Sequence, residues 1–226
     1  RRLVRDTARE VSDISRRVIP TVVHLTLRPG TLVRCYWAGQ TRRWAHPLKY
    51  FFFAFAILQI AAWQTGFFDG AAQAMIDQGV LETIEAASFL RDGFTGFFGI
   101  LLPVLAGLGH IGSRYTFAEH LVFNAYTMGH LALAYTASIT VRSGVDRLIG
   151  EIPVDGARLT LYVLIGFYIY AFADAMRRPD GANRPAKHLT AWVWGFVRGA
   201  GVVLLGILAS IMIAGIFIGM VEAFLQ

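Results

Sequence analysis

The strongest constraint on this chain is the way its charges are set apart from its apolar residues. Five long stretches, at 47–63, 94–111, 117–141, 159–176 and 189–224, each hold no more than two Asp, Glu, Lys or Arg side chains. Across all 226 residues, 55 % are hydrophobic and only 16 % are charged. A water-soluble domain of this length needs more charge to cover its surface. Runs near the roughly 20 residues that cross about 30 Å of hydrocarbon predict membrane-spanning helices instead. The expectation is an all-α fold, an integral membrane bundle of about five transmembrane helices preceded by an amphipathic interfacial helix. The last run exceeds one straight crossing, so its start near Trp192 and Trp194 is placed in the interface.

The net charge of +6 is local. Arg1, Arg2, Arg5, Arg9, Arg16, Arg17, Arg28, Arg34, Arg42, Arg43 and Lys49 face only Asp6, Glu10 and Asp13 in the first 49 residues. A basic block directly before an apolar run suits anionic lipid headgroups, and nucleic acid is not the expected partner. Val4, Val11, Ile14 and Val18 recur at helical spacing opposite the arginines, which predicts a helix over 1–19 lying on the membrane. Pro20 and the Pro29-Gly30 pair then punctuate the chain, and a short helix over 31–38 is expected to present Tyr36 and Trp37 at headgroup depth before Gly39 ends it. The resulting division is a membrane-surface segment at 1–46 and a helical bundle at 47–226. Cys35 is the single cysteine, so an intrachain disulfide and a thiolate zinc site are both excluded. No cleavable signal peptide is visible.

Connecting segments set the orientation. The N-terminal region, the turn at Arg114 and the 177–187 loop are basic, the 64–92 connection is acidic, and the 142–158 loop is balanced. Alternate connections therefore agree on a cytoplasmic N-terminus, and five spans leave the C-terminus outside.

Ionisable groups within spans are costly, so they are the candidate site residues. His110 falls at the inner end of the second span, Glu119, His120 and Asn124 at the inner start of the third, Asp174 at the inner end of the fourth, and Arg198 early in the fifth. One reading is a cytoplasm-facing polar pocket for a metal, an anionic headgroup or a proton. The other is structural, with Arg198 paired to Glu119 or Asp174 and the histidines bonded between helices. Neighbouring residues on a helix point about 100° apart, and His130 lies roughly 16 Å along the helix from Glu119, so no specific metal site is assigned. Gly195-x-x-x-Gly199 and Gly215-x-x-x-Gly219 permit close backbone approach in the last helix. There is no phosphate-binding glycine loop, HExxH pair, nucleophile elbow or nucleic-acid motif, so neither an enzyme nor a cofactor is expected.

Two stretches carry a family resemblance. Thr26-Leu27-Arg28-Pro29-Gly30 is followed by Tyr36, Gly39, Arg42-Arg43 and Pro47, and later comes Glu119-His120-Leu121-Val122-Phe123. Together they resemble a bacterial family of multi-pass membrane proteins catalogued as a domain of unknown function. The resemblance implies a bacterial inner-membrane location and a helical membrane fold, and it supplies no reaction. Family members often carry a zinc ribbon with paired cysteines before the amphipathic segment; residues 1–226 hold no paired cysteines. Pro29 and Gly30 are expected to turn a corner between two interfacial helices. Arg28, Arg34, Arg42 and Arg43 would then ring the cytoplasmic mouth, as a membrane-surface anchor or as contacts to a phosphate-bearing ligand. The function expected from all this is a non-enzymatic accessory or scaffolding subunit of a larger membrane complex. A small transporter or lipid-handling protein is the alternative.

Overall fold

A computed structural model describes residues 16–77, 99–111, 113–149, 156–176 and 193–205. All of its regular elements are α-helical: α1 (16–27), α2 (Pro29–Trp37), α3 (Pro47–Gln64), α4 (Phe67–Asp77), α5 (99–110), α6 (Phe117–Ile149), α7 (Gly156–Ala175) and α8 (193–205). The all-α expectation holds. Among the described residues, no helix is long and apolar enough to cross a membrane. Helix α3 stops at 18 residues and carries Lys49 in its first turn, while α6 reaches 33 residues but contains His120, Asn124, His130 and, in its last turns, Arg142, Asp146 and Arg147.

Local chemistry explains most boundaries. Proline opens both α2 and α3, where its fixed φ suits the first turn and its missing N–H costs nothing. Gly39, at φ +85°, ends α2 in the left-handed region that a side chain would resist. Thr116 and Glu119 form a capping box at the start of α6. Glu119 accepts from the Thr116 backbone N–H at 2.7 Å and from its hydroxyl at 2.9 Å, and Thr116 Oγ1 accepts from the Glu119 N–H at 3.2 Å. The expected loop from 142 begins as helix instead, because Arg142 and Asp146 pair at one-turn spacing (3.6 Å) and α6 continues to Ile149.

Helix directions alternate. Asn124 meets Tyr168 and Ser138 meets Thr160, so α6 and α7 are antiparallel. Tyr50 lies beside Tyr126, and Phe67, just past the far end of α3, lies beside Tyr135, so α3 and α6 run the same way. Gly109 at the end of α5 packs on His120 near the start of α6, giving a helical hairpin. Glycine sets the closest of these crossings. A Cβ on Gly129 would lie 3.0 Å from the Tyr50 ring, and those on Gly195 and Gly199 would lie 3.0 and 3.3 Å from Ala173 and Phe172. The expected close approach at Gly195 and Gly199 is thus between α8 and α7, whereas Gly215 and Gly219 lie outside the described residues.

The N-terminal arm belongs to the core. Leu25, Leu32, Val33 and Trp44 share one buried cluster with Tyr50, Leu105, Phe123, Tyr126 and Phe172. Helix α2 therefore buries Leu32 and Val33 instead of lying free on a surface, and no gap in packing marks the boundary at 46/47. Pro20 is carried inside α1, which continues to residue 27; residues 1–15 of the expected surface helix lie outside the described residues, as do most of the 64–92 connection, all of the 177–187 loop and the far part of the last run.

Candidate functional site

The RPG stretch docks α2 onto the end of α7. The Gly30 backbone N–H, one of the unpaired donors of the first helical turn, donates to Asp174 Oδ2 at 2.9 Å. Arg34, one turn along, donates to the Asp174 carbonyl and to Thr31 Oγ1 at 3.3 Å, and its guanidinium lies 3.8 Å from Asp174 Oδ1. A carboxylate at a helix N-terminus also complements the helix dipole. The glycine is required by space. A Cβ at position 30 would sit 2.4 to 2.6 Å from the backbone of Asp174 and Ala175. Gly30 does not adopt positive φ, so it serves close approach rather than the flexible corner expected from sequence.

Arg198 pairs with neither Asp174 nor Glu119 in the contacts resolved at its guanidinium. It donates to the carbonyls of Gly109, at 3.3 Å, and Ile111, where the last turn of α5 leaves its carbonyls unpaired. His110 Nδ1 stands 2.9 Å from the Tyr115 carbonyl, which fixes that nitrogen as the N–H bearer. Trp37 Nε1 donates to the Glu119 carbonyl at 3.1 Å, and its ring lies 4.6 Å from that of Tyr115, over which Arg114 stacks at 4.7 Å.

On α6 the polar residues separate into two groups. Asn124 donates to the His120 carbonyl at 2.8 Å and accepts from the Tyr168 hydroxyl at 2.7 Å, deep in the core. His120 itself is fully buried, stacks 6.1 Å from Phe172, and has no hydrogen-bond partner at either ring nitrogen. Its Nδ1 faces Gly109, whose Cβ, if present, would be 2.8 Å away. His130 is different. Its Nε2 lies 3.3 Å from Thr26 Oγ1 and its Nδ1 lies 3.3 Å from the Tyr50 hydroxyl. Thr26 spends its own proton on the Val22 carbonyl at 2.9 Å, so it accepts from His130 Nε2–H, and Tyr50 donates to the bare Nδ1. Two further bonds hold the arm: Ala45 N–H donates to Thr21 Oγ1 at 3.1 Å, and the Tyr126 hydroxyl donates to the Ala45 carbonyl. Tyr36 packs edge-on to Tyr126, and burial pushes its phenol up.

Of the sequence candidates, then, Asp174 and Arg34 come together, Asn124 and the His120 carbonyl come together, and His110, Glu119 and Arg198 each serve a helix end. Among the described residues, no three His, Cys, Asp or Glu side chains are grouped to hold a metal ion. Arg28, Arg42 and Arg43 are exposed, and Arg43 lies over the Trp44 ring at 5.0 Å. Thr21, Tyr50 and Tyr168, and Thr26 beyond its place in the motif, carry no local sign of their roles, because their cross-helix partners are set by long-range packing.

The model of a family described as "Protein of unknown function (DUF3667)" matches residues 16–58. The match takes in Arg28-Pro29-Gly30, Tyr36, Gly39 and Pro47, and it ends before Glu119–Phe123. No curated protein and no solved structure matches the chain.

Proposed function

We propose that this chain is an integral bacterial inner-membrane protein without a reaction of its own, acting as an accessory or scaffolding subunit of a larger membrane complex. The observation that carries this reading is the distribution of its surface. Phe52, Phe53, Ile60 and Trp63 on α3, Tyr162 and Val163 on α7, and Val193, Trp194, Phe196, Val197, Leu204 and Leu205 on α8 are all exposed. Asn124, His130 and Tyr168 on the facing sides are buried and bonded inward. Apolar residues outward and polar residues inward suit a lipid solvent. Average hydropathy counts the inward polar residues of α6 against a crossing, although they would never meet lipid. At 1.5 Å per residue, α3 spans about 27 Å and α6 about 50 Å, which brackets the hydrocarbon thickness.

The polarity of the bundle supports the expected orientation. Arg114 and the arm residues 28–49 gather where α6 begins and α7 ends, so this end faces the cytoplasm and a fifth span leaves the C-terminus outside. The accessory role rests on what the polar residues do: most candidates close helix ends or link helices, which leaves little for binding or catalysis. The transporter or lipid-handling reading draws its support from His120 alone, the one candidate with a buried side chain and no bonded partner.

Gentle detergent extraction from native membranes, followed by size-exclusion chromatography and mass spectrometry, tests the proposal. A defined set of co-eluting subunits is expected. Recovery as a free monomer would overturn the accessory role, and a lone chain carrying stoichiometric lipid or metal would move the assignment to His120 and its neighbours.

A further inference from the structure

Between Arg16 and Lys49 the chain carries seven basic residues and no carboxylate. The structure divides them. Arg34 is drawn inward by Asp174, while Arg16, Arg17, Arg28, Arg42, Arg43 and Lys49 are all exposed. The same arm exposes an apolar stripe on α1. Ile19, Val23 and Leu27 recur every fourth residue and are 64 %, 46 % and 67 % exposed, while Thr21 and Leu25 on the other side are buried. A stripe at this spacing lies along one face of a helix. Arg16 and Arg17 stand at one end of it and Arg28 at the other. His24 packs on Trp44 at 4.7 Å between centroids, and Thr21 bonds to Ala45, so Arg42, Arg43 and Lys49 belong to the same end of the molecule as α1.

We infer that α1 lies in the plane of an anionic phospholipid leaflet, with Ile19, Val23 and Leu27 sunk at the acyl boundary and the six exposed cations at the headgroup phosphates. The inference rests on the membrane reading and refines it, because it names the lipid class, the helix and the residues. Charge complementarity selects the occupant: a stripe flanked by cations alone fits a negatively charged surface, and each exposed cation near such a surface strengthens attachment about fivefold. The helix does not float independently of the bundle. Thr26 reaches His130, and Gly30, two residues past Arg28, is clamped to Asp174, so lipid contact at α1 is made by a rigid part of the core.

The test places the full chain, with Cys35→Ser, in nanodiscs of POPC alone and of POPC with POPG in equal parts. A single cysteine replaces Val23, or in a second variant Leu27, and carries an environment-sensitive NBD label. A third variant carries the label in place of Val163, which is 62 % exposed on α7. Both disc types include lipid with a doxyl quencher high on its acyl chain. The inference expects the Val23 and Leu27 labels to shift blue and to be quenched severalfold more strongly in POPG discs than in POPC discs. It also expects Arg16→Gln, Arg17→Gln and Arg28→Gln together to erase that difference. Equal shielding in both disc types would overturn the selection of anionic lipid. Aqueous labels at Val23 and Leu27 beside a quenched label at Val163 would overturn the inference and leave the membrane reading standing. Aqueous labels at all three positions would overturn both.

Discussion

His120 and His130 sit ten residues apart on one helix, and both are buried, yet their surroundings differ in kind. His130 ties three helices: Thr26 of α1 accepts from one nitrogen and Tyr50 of α3 donates to the other. His120 fills space between Gly109 and Phe172 with no hydrogen bond to its ring. Near His120, every other polar candidate is committed, Asp174 to Gly30 and Arg34, Glu119 to Thr116, and Asn124 to Tyr168. A buried polar side chain is therefore informative through its partners, and residue type alone does not separate a strut from a spacer.

The largest effect that would sharpen this comparison lies outside both histidines, at the clamp beside them. Gly30→Val puts atoms inside the α7 backbone envelope and should cost upward of about 3 kcal/mol, enough to abolish monodisperse protein in size-exclusion chromatography. Asp174→Ala takes the acceptor from the Gly30 N–H and the carboxylate from beside the Arg34 guanidinium, which keeps its bonds to the residue-174 carbonyl and to Thr31. With Arg34 still a quarter exposed, the cost should be about 2–3 kcal/mol, read as a lowered midpoint in thermal unfolding. His130→Leu strands the Tyr50 hydroxyl in the core and should cost about 1–2 kcal/mol. Combined with Tyr50→Phe, its effect should fall short of the sum of the two single changes, the signature of a shared bond in a double-mutant cycle. His120→Leu breaks no hydrogen bond and keeps the side-chain volume close, so it should stay within about 1 kcal/mol of the parent. A loss equal to that of His130→Leu would collapse the distinction. Arg42→Gln, at an exposed position, should change the midpoint by less than about 0.5 kcal/mol.

What could be read in advance follows from the range over which each cause acts. Pro47 opening α3, Gly39 closing α2 and the helix starting at Phe117 are local effects, and each is legible in the residues beside it. The Thr116–Glu119 capping box is also local, since Thr-x-x-Glu is its signature, but the place of Glu119 beside His120 in an apolar run draws it among the candidate site residues instead. Arg142 reads as the start of a loop because its charge ends the apolar stretch, although a charge paired four residues on is compatible with a continuing helix. The role of Gly30 was beyond reach. Its sequence context suggests a corner, and only the passage of α7 beneath it shows why a side chain is excluded. The same holds for Tyr50, Thr26 and Tyr168, whose partners lie between 44 and 104 residues away along the chain. Asp174 and Arg198 are legible as costly charges, and one reading pairs Arg198 with Glu119 or Asp174; in the structure Asp174 holds Gly30 and Arg34, and Arg198 donates to the end of α5.

The exposed apolar faces of α3, α7 and α8 bear the weight of the account, and their solvent can be measured directly. Membranes from cells producing the full chain are washed in alkaline carbonate, which strips peripheral proteins, and are then sedimented. An integral membrane chain is expected to stay in the pellet and to leave it only with detergent. Release of the chain into the carbonate supernatant as a folded, monodisperse protein would contradict the membrane reading.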